Sequence, residues 1–453
     1  MGVMPTLLWF RRDLRCHDHP ALLDAAQHDG DVLGCYVLDP RLTASSGARR
    51  LQYLHAALHE LSDSLGGRLL VTRGRPEKRI PALAHAIGAA SVHVSQDFSP
   101  FGRRRDDAVR AALGDVPLCA TGSPYLVSPG RITKPDGTPY QVFTPFFHAW
   151  RRHGWRPPAK SGPDSARWMD PAAVPHGTEI PRATGVLEVA PGESAARAQW
   201  VAFVRDDLAG YATDRNRPDL DATSRMSAHL KFGAIHPRTM AADLDGRRTG
   251  ADAYLRELAF RDFYAAVLHH WPDSAWWNWN RDFDAIETDD GDDAKEAFEA
   301  WKAGMTGFPI VDAGMRQLAQ TGFMHNRVRM IVASFLVKDL HLPWQWGARW
   351  FLDQLIDGDM ANNQHGWQWA AGCGTDAAPY FRVFNPTLQG AKFDPDGAYI
   401  RRWVPELAHV DDVHKLDGSR PAQYPQPIVD HSQERLEALR RYRALSRDRT
   451  GPV

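Results

Sequence analysis

Cysteine is scarce in this 453-residue sequence: Cys16, Cys35, Cys119 and Cys373 lie far apart and form no CxxC pair. That argues against a disulfide framework or a cysteine-based zinc site, and favours a reducing, cytoplasmic setting. Net charge is nearly missing too, at −1. No global field announces a nucleic-acid partner, so any phosphate-binding surface has to be local. No apolar run approaches the roughly 18 residues of a membrane span, so no membrane partner is expected. The first apolar run is followed by neither GxGxxG nor GxxxxGK[ST], which leaves a nicotinamide dehydrogenase or a P-loop ATPase poorly supported. Internal repeats and low-complexity tails are also lacking. What remains, at 43% hydrophobic and 24% charged residues, is an ordinary globular composition long enough for two domains.

Tryptophan is the excess. Of 16 in the chain, 11 fall between Trp271 and Trp403. Such enrichment fits a large helical core, stacking platforms, or a route for electron hopping. The first third alternates short apolar runs (TLLWF, DVLGCYVLD, GRLLVTRG, ASVHVSQD) with helical patterns at DHPALLDAA, 49–65 and 76–88. Strands separated by helices of that length imply a parallel, doubly wound α/β sheet over residues 1–125. Its first loop, FRRDLRCHDHPAL, has the position at which open sheets bind ligands. Residues 126–194 are rich in Pro, Gly and Ser and are expected to form a connector without helices. From 195 to 453 the pattern is all-α, as in the 252–270 and 311–340 segments.

The densest chemistry lies in DGDMANNQHGWQW, from Asp357 to Trp369, followed by PYFRVFNPTLQG with Arg382, Asn385 and Gln389. Two carboxylates, two adjacent amides and two indoles in thirteen residues suit a flat ligand with polar edges, although an aromatic helix seam with capped ends reads almost as well. Thr223, Ser224, Arg225, Met226 and Ser227 precede a helical AHLKFG. Hydroxyls and N–H groups there either bind a diphosphate or cap the helix. Glu257 and Arg261 lie four apart on one helix face. Asn326 and Met330 share another, and Arg329 could reach Asp357.

Together these motifs resemble the photolyase/cryptochrome family, in particular class I photolyases acting on cyclobutane pyrimidine dimers. The resemblance runs from LLWFRRDLR to RRWVPEL and is most specific in TSRMSAHLKFG, TGFPIVDAGMRQL, TGFMHNRVRMIVASFLVKDL and FNPTLQGAKFD. It implies an N-terminal antenna domain and a helical domain holding FAD, whose working state is fully reduced and anionic. The implied flavin contacts are Tyr211, Thr223, Ser224, Arg225, Met226, Ser227, Arg261, Arg329, Asp357, Asp359 and Asn363, with Asn363 facing the redox-active nitrogen. The implied partner is double-stranded DNA carrying a dimer that is flipped into a cavity. Glu257 and Asn326 match contacts to the pyrimidine carbonyls, and Met330 and Trp369 match apolar walls. Phe260, Arg261, Arg327 and Gln389 match further DNA or pocket positions, while Arg382, Lys392, Arg401 and Arg402 extend a basic rim on charge alone. A monomer is expected.

Departures from the family pattern carry expectations too. Phe260 stands where the family usually has tryptophan, which implies weaker lesion binding. Trp367 and Trp344 match the inner two members of the flavin-reducing chain, but the outermost position falls near Gly291, where no tryptophan stands. An exit through Trp346, Trp350 or the Trp276–Trp279 cluster is the alternative. The histidine pair of (6-4) photolyases is replaced by Asn326 and Met330, which favours dimer repair over (6-4) repair. In the antenna domain Gly102 replaces the carboxylate of the methenyltetrahydrofolate type, while Asp39, Arg50, Asp97, Arg105 and Lys231 match a deazaflavin pocket. That favours 8-hydroxy-5-deazaflavin over folate or FMN. The rival function is a cryptochrome that senses blue light without repair.

Overall fold

Five strands, four of them buried on both faces and an edge strand that is not, build the N-terminal sheet in a computed structural model that describes residues 4–27, 30–185, 187–244, 249–376, 382–416 and 418–447. They are β1 (Thr6–Phe10), β2 (Val32–Leu38), β3 (Leu69–Arg73), β4 (Val92–Val94) and β5 (Leu118–Ala120). All pair in parallel, in the order β3-β2-β1-β4-β5. This is the doubly wound sheet expected from the apolar runs, plus β5, whose partly exposed LCA lacks the buried apolar signature of the equally short β4. Leu7, Trp9, Leu33, Cys35, Val37 and Leu70 meet Ile80, Leu83, Val109 and Leu113 from helices Pro76–Ile87 and Pro100–Leu113 in one core. A sheet covered on both faces needs continuous apolar runs rather than alternation, as these strands show.

The chain divides into two compact units: residues 1–211 with 224–272, and residues 212–223 with 273–453. The helices between 195 and 270 thus group mainly with the sheet, a division that does not follow the sequence boundary at 194/195. In the first unit the charged residues of the FRRDLRCHDHPAL loop are paired, mostly with other segments. Arg11 bonds Asp106 at 2.5 Å, Arg15 donates to the carbonyls of Gly233 and Asp18, and Asp18 pairs with Arg238 at 2.6 Å. Its charges act as ties to neighbouring segments.

The connector contains a helix that the sequence composition concealed. Phe143–His153 is helical and buries Phe143, Phe146, Phe147 and Trp150. Pro- and Gly-rich flanks dominate the average, yet FTPFFHAWRRH itself has an apolar stripe at helical spacing.

The second unit is helical. Its principal core joins Trp301, Ile331, Phe335, Leu336, Phe351 and Trp367, with Trp346, Trp350 and Trp369 packed at its edge. The 311–340 segment is two helices, Pro309–Thr321 and Asn326–Lys338, because Gly322 ends the first with φ 70°. A left-handed residue after the last turn is the usual helix stop. Among the described residues no helix is long and apolar enough to cross a membrane.

Candidate functional site

Helix Met360–Ala371 is the framework of the site in the second unit. Asp359 caps it, accepting from Asn362 N at 3.2 Å and Asn362 Nδ2 at 3.0 Å. Residues Asn362, Asn363, Gly366 and Trp369 are half-buried and recur every three or four positions, so they form one stripe. A Cβ on Gly366 would meet nothing within 4 Å, so open space lies against the stripe there. The other face is polar but buried. Gln364 Nε2 donates to Ala275 O at 2.6 Å, and Gln368 Nε2 to Ser274 O at 2.7 Å. Gln368 Oε1 accepts from Trp279 N at 2.8 Å, and His365 Nε2 meets Ser274 Oγ at 2.9 Å. Burial pushes the His365 imidazole down to about 4. Sequence reasoning flagged the stripe and missed this buried face. Its partners, mostly backbone groups, lie about ninety residues away, which no local pattern reveals.

The neighbouring helix, Asn326–Lys338, begins at His325, whose Nδ1 accepts from Arg327 N at 3.2 Å. Asn326 is exposed, and Met330, one turn on, is half-buried. Arg329 pairs with Asp357 at 2.9 Å, as expected, and its Nε donates to Met324 O at 2.8 Å. Both partners are largely withdrawn from solvent, with side-chain exposures of 24% and 6%. Arg327 donates to Asn216 Oδ1 at 2.5 Å and lies over Phe393, 4.4 Å from the ring centroid.

The basic rim is uneven. Arg382, Lys392 and Arg402 are exposed, and Gln389 is half-buried. Arg401 instead donates to the carbonyls of Asp396, Val410 and Asp411. Its guanidinium closes a turn, which takes it out of the rim. Pro379, Tyr380 and Phe381 of the PYFRVF run lie outside the described residues. Thr223 is half-buried.

Trp367 contacts Phe351 edge-on at 5.0 Å and Trp301 at 6.1 Å. Trp301 stacks on Phe298 at 5.8 Å, and Phe298 meets Trp346 at 5.3 Å. An aromatic path through Trp301 therefore joins Trp367 to the half-buried Trp346. Trp344 is buried, and its indole N–H donates to Asn278 Oδ1 at 2.8 Å. It also lines a cavity of 380 Å³ together with Trp277, Lys338 and Arg441.

In the first unit, Ser224 Oγ and Tyr254 OH lie 2.7 Å apart, and Gln199 Nε2 donates to Ser224 O at 2.6 Å. Tyr254 joins Tyr211 and Phe203 in an aromatic cluster with centroids 5.0 and 5.2 Å away. Burial pushes its phenol well above the ordinary range. Arg225 sits at φ 51°, a left-handed conformation uncommon outside glycine, and pairs with Glu188 at 3.3 Å. Met226 is buried, and Ser227 opens a helix of only six residues, Ser227–Phe232.

Glu257 and Phe260 are half-buried on helix Ala251–His270. Arg261 donates to Pro124 O at 2.6 Å and Leu230 O at 3.2 Å, so it ties two segments to this helix. Phe260 lies flat on Phe143, with centroids 3.5 Å apart and planes 5° from parallel. Asp262 accepts from Val127 N at 2.8 Å and Trp150 Nε1 at 3.0 Å, while burial lifts its carboxyl to about 6.

Three of the antenna candidates, Asp39, Asp97 and Arg105, are charge-compensated. Asp97 pairs with Arg105 at 3.2 Å, and Asp39 with Arg41, which also holds Glu77 at 3.0 Å. Arg41 and Arg105 both lie over Phe101. Arg50 is buried and Lys231 half-buried. A Cβ at Gly102 would overlap the Asp97 carboxylate, so no side chain fits there while Asp97 holds its place.

Comparison with known proteins bears on both units. The family model described as the FAD binding domain of DNA photolyase matches residues 254–444, and that described as DNA photolyase matches residues 6–164. The chain is 40% identical to a deoxyribodipyrimidine photo-lyase of Thermus thermophilus, covering 98% of this chain and 99% of that one. The crystal structure of a class III photolyase from Agrobacterium tumefaciens superposes with a TM-score of 0.90 at 37% identity, covering 99% and 98% of the two chains. An archaeal photolyase of Sulfolobus tokodaii, solved with two FAD molecules, gives a TM-score of 0.87 at 29% identity, covering 97% and 100%. The Agrobacterium tumefaciens neighbour is described as class III, so these matches do not carry the class I assignment drawn from the motifs, and they establish membership at the level of the family. The chain belongs to the DNA photolyase family, the photolyase/cryptochrome family of its sequence motifs.

Proposed function

We propose that this protein repairs cyclobutane pyrimidine dimers in double-stranded DNA under light, using FAD in its reduced, anionic state. The observation that carries the reading is the half-buried stripe of helix Met360–Ala371, where Asn363 and Trp369 flank the open space at Gly366. Alone it would suit any flat ligand. Its support comes from relatives named deoxyribodipyrimidine photo-lyase that align over almost the whole chain. A Synechocystis cryptochrome superposes as well, with a TM-score of 0.86 at 28% identity, but the 40% identity to the Thermus thermophilus photo-lyase favours repair over the cryptochrome alternative.

The donor set fits FAD. Asp357 is held by Arg329, Asp359 is ordered as a cap, and Asn363 is tied through its amide. On this reading Tyr211, Thr223, Ser224, Arg225, Met226 and Ser227 complete the cofactor contacts. When bound, the excited reduced flavin supplies the electron that opens the cyclobutane ring and receives it back. The protein binds and orients. Glu257 and Asn326 are assigned to the pyrimidine carbonyls, where a preorganised donor acts only on the charge that develops during reaction. That role requires Glu257 to carry its proton. Met330, Trp369 and Phe260 supply apolar and stacking surface, while Arg327 and Gln389 are assigned to the strand. Trp367 and Trp344 are assigned to flavin photoreduction, with Trp301 and Trp346 as the exit. For the antenna the blocked position at Gly102 weighs against methenyltetrahydrofolate, and the matched positions Asp39, Arg50, Asp97, Arg105 and Lys231 carry the reading of 8-hydroxy-5-deazaflavin.

The test is repair of one defined thymine dimer in duplex DNA by the chemically reduced holoprotein, in light and in darkness. Restoration of the thymines only in light is expected. Absence of repair with reduced FAD bound would overturn the proposal.

A further inference from the structure

We infer that Gln364 is a positioning residue that fixes which atom of the Asn363 amide faces the flavin. The inference rests on the assignment of Asn363 to the flavin's redox-active nitrogen. Asn363 Nδ2 gives one proton to Ala348 O at 2.9 Å and the other to Gln364 Oε1 at 2.8 Å. Gln364 Nε2 in turn donates to Ala275 O at 2.6 Å.

A backbone carbonyl can only accept, so Ala275 and Ala348 define the polarity of the chain from its two ends. Gln364 must turn its NH₂ toward Ala275, which leaves its oxygen for Asn363. Asn363 must then turn its NH₂ inward, and both of its protons are used. Its Oδ1 is the atom left for a ligand. Rotating the Asn363 amide by half a turn would place oxygen against Ala348 O and Gln364 Oε1, two acceptors at hydrogen-bond distance. Gln364 is buried, so water cannot repair that mismatch.

An acceptor at Asn363 favours a flavin nitrogen that carries a proton. An amide NH₂ there would instead favour the unprotonated nitrogen of the oxidised state. Gln364 therefore biases the cofactor toward its protonated, reduced forms without touching it. Nothing in the NNQHG string announces this, because the decisive partners are carbonyls at positions 275 and 348.

The experiment uses the FAD-loaded protein and follows its absorption during stepwise reduction, reading the protonated and deprotonated fractions at the one-electron stage. Gln364→Met removes the acceptor at similar volume and is expected to shift that ratio roughly fivefold toward the deprotonated form, the value of one ordinary hydrogen bond. Gln364→Asn, whose oxygen is one methylene short, is expected to shift it the same way and serves if the Met variant does not fold. Gln364→Glu, which in this buried place keeps its proton and so donates to Ala275 O while accepting from Asn363, is expected to stay within about twofold of the parent. Asn363→Ser is the reference. If Asn363→Ser shifts the ratio and the Met and Asn variants do not, or if Glu shifts it as far as Met, the positioning role is overturned. If Asn363→Ser leaves the ratio unchanged, the assignment of Asn363 to the flavin falls, and this inference with it.

Discussion

Gln368 and Trp369 are neighbours in sequence with opposite surroundings. Gln368 is buried and bonds a carbonyl and an amide of the 274–279 segment at 2.7 and 2.8 Å. Trp369 is half-buried on the stripe beside Gly366. One helix therefore carries two kinds of polar surface. On the buried face every polar atom must be paired, because an unmet group there costs far more than a met one contributes. On the stripe, polar atoms can stay available because a ligand or water completes them. The buried face holds the fold, the proposed function gives the stripe the chemistry, and substitutions should separate the two.

The largest effect is expected at Gln368. Gln368→Ala leaves Ser274 O and Trp279 N without their partner, and about 3 kcal/mol of stability should be lost in denaturant titrations. Dimer affinity of the folded fraction should stay the same. A variant as stable as the parent would show that the buried face is not a lock.

His365 tests the same face through pH. Its imidazole is neutral when folded, with Nδ1 bonded to Ala361 O at 2.7 Å and Nε2 near Ser274 Oγ. Its folded value of about 4 lies below the ordinary 6.5. The unfolded chain therefore takes up a proton first as pH falls. The contribution of His365 is complete above pH 6.5 and is lost between 6.5 and about 4, on the order of 2–3 kcal/mol. His365→Leu should flatten stability across that window. An unchanged slope would show that other groups carry the acid sensitivity.

Trp369→Ala addresses the stripe. Lesion affinity should fall by about 1–3 kcal/mol, the range for one base stacked on one aromatic ring. Stability should change by less than it does for Gln368→Ala. Equal losses of stability for both variants would erase the distinction between the faces.

This contrast also marks what the sequence made legible. Strands β1–β4 follow from apolar runs of a few residues, and the Arg329–Asp357 pair, 28 residues apart, from the rule that an arginine in an apolar helix needs a partner. The helix Phe143–His153 stayed hidden because proline-rich flanks diluted its signal. The ties from Gln364, Gln368 and Asp262 stayed hidden for another reason. Each ends on backbone groups in remote segments, and every residue type supplies the same backbone atoms. Side-chain chemistry on the stripe leaves a motif, whereas backbone pairing on the buried face leaves none.

Phe260 is where the smallest effect is expected, and where the concealed helix bears on the stacking surface. Phenylalanine covers less area than the tryptophan usual at this position, which by itself predicts weaker stacking. Phe143 lies flat behind it at 3.5 Å, and Arg256 sits over Phe147 and Phe143 at 4.5 and 5.9 Å. The second ring holds Phe260 in one orientation, so on the proposed reading little freedom would be lost when a base stacks on its other face. Phe260→Trp adds area but must fit its larger ring against Phe143. A gain of about twofold in dimer affinity is expected, well under 1 kcal/mol. In Phe143→Ala, which frees that space at some cost in stability, adding Phe260→Trp should give a larger gain. Titration of all four proteins with duplex containing one dimer measures the coupling directly. If Phe260→Trp gains the same factor with and without Phe143, the stacked pair does not act as a unit and the smaller ring alone limits the wall.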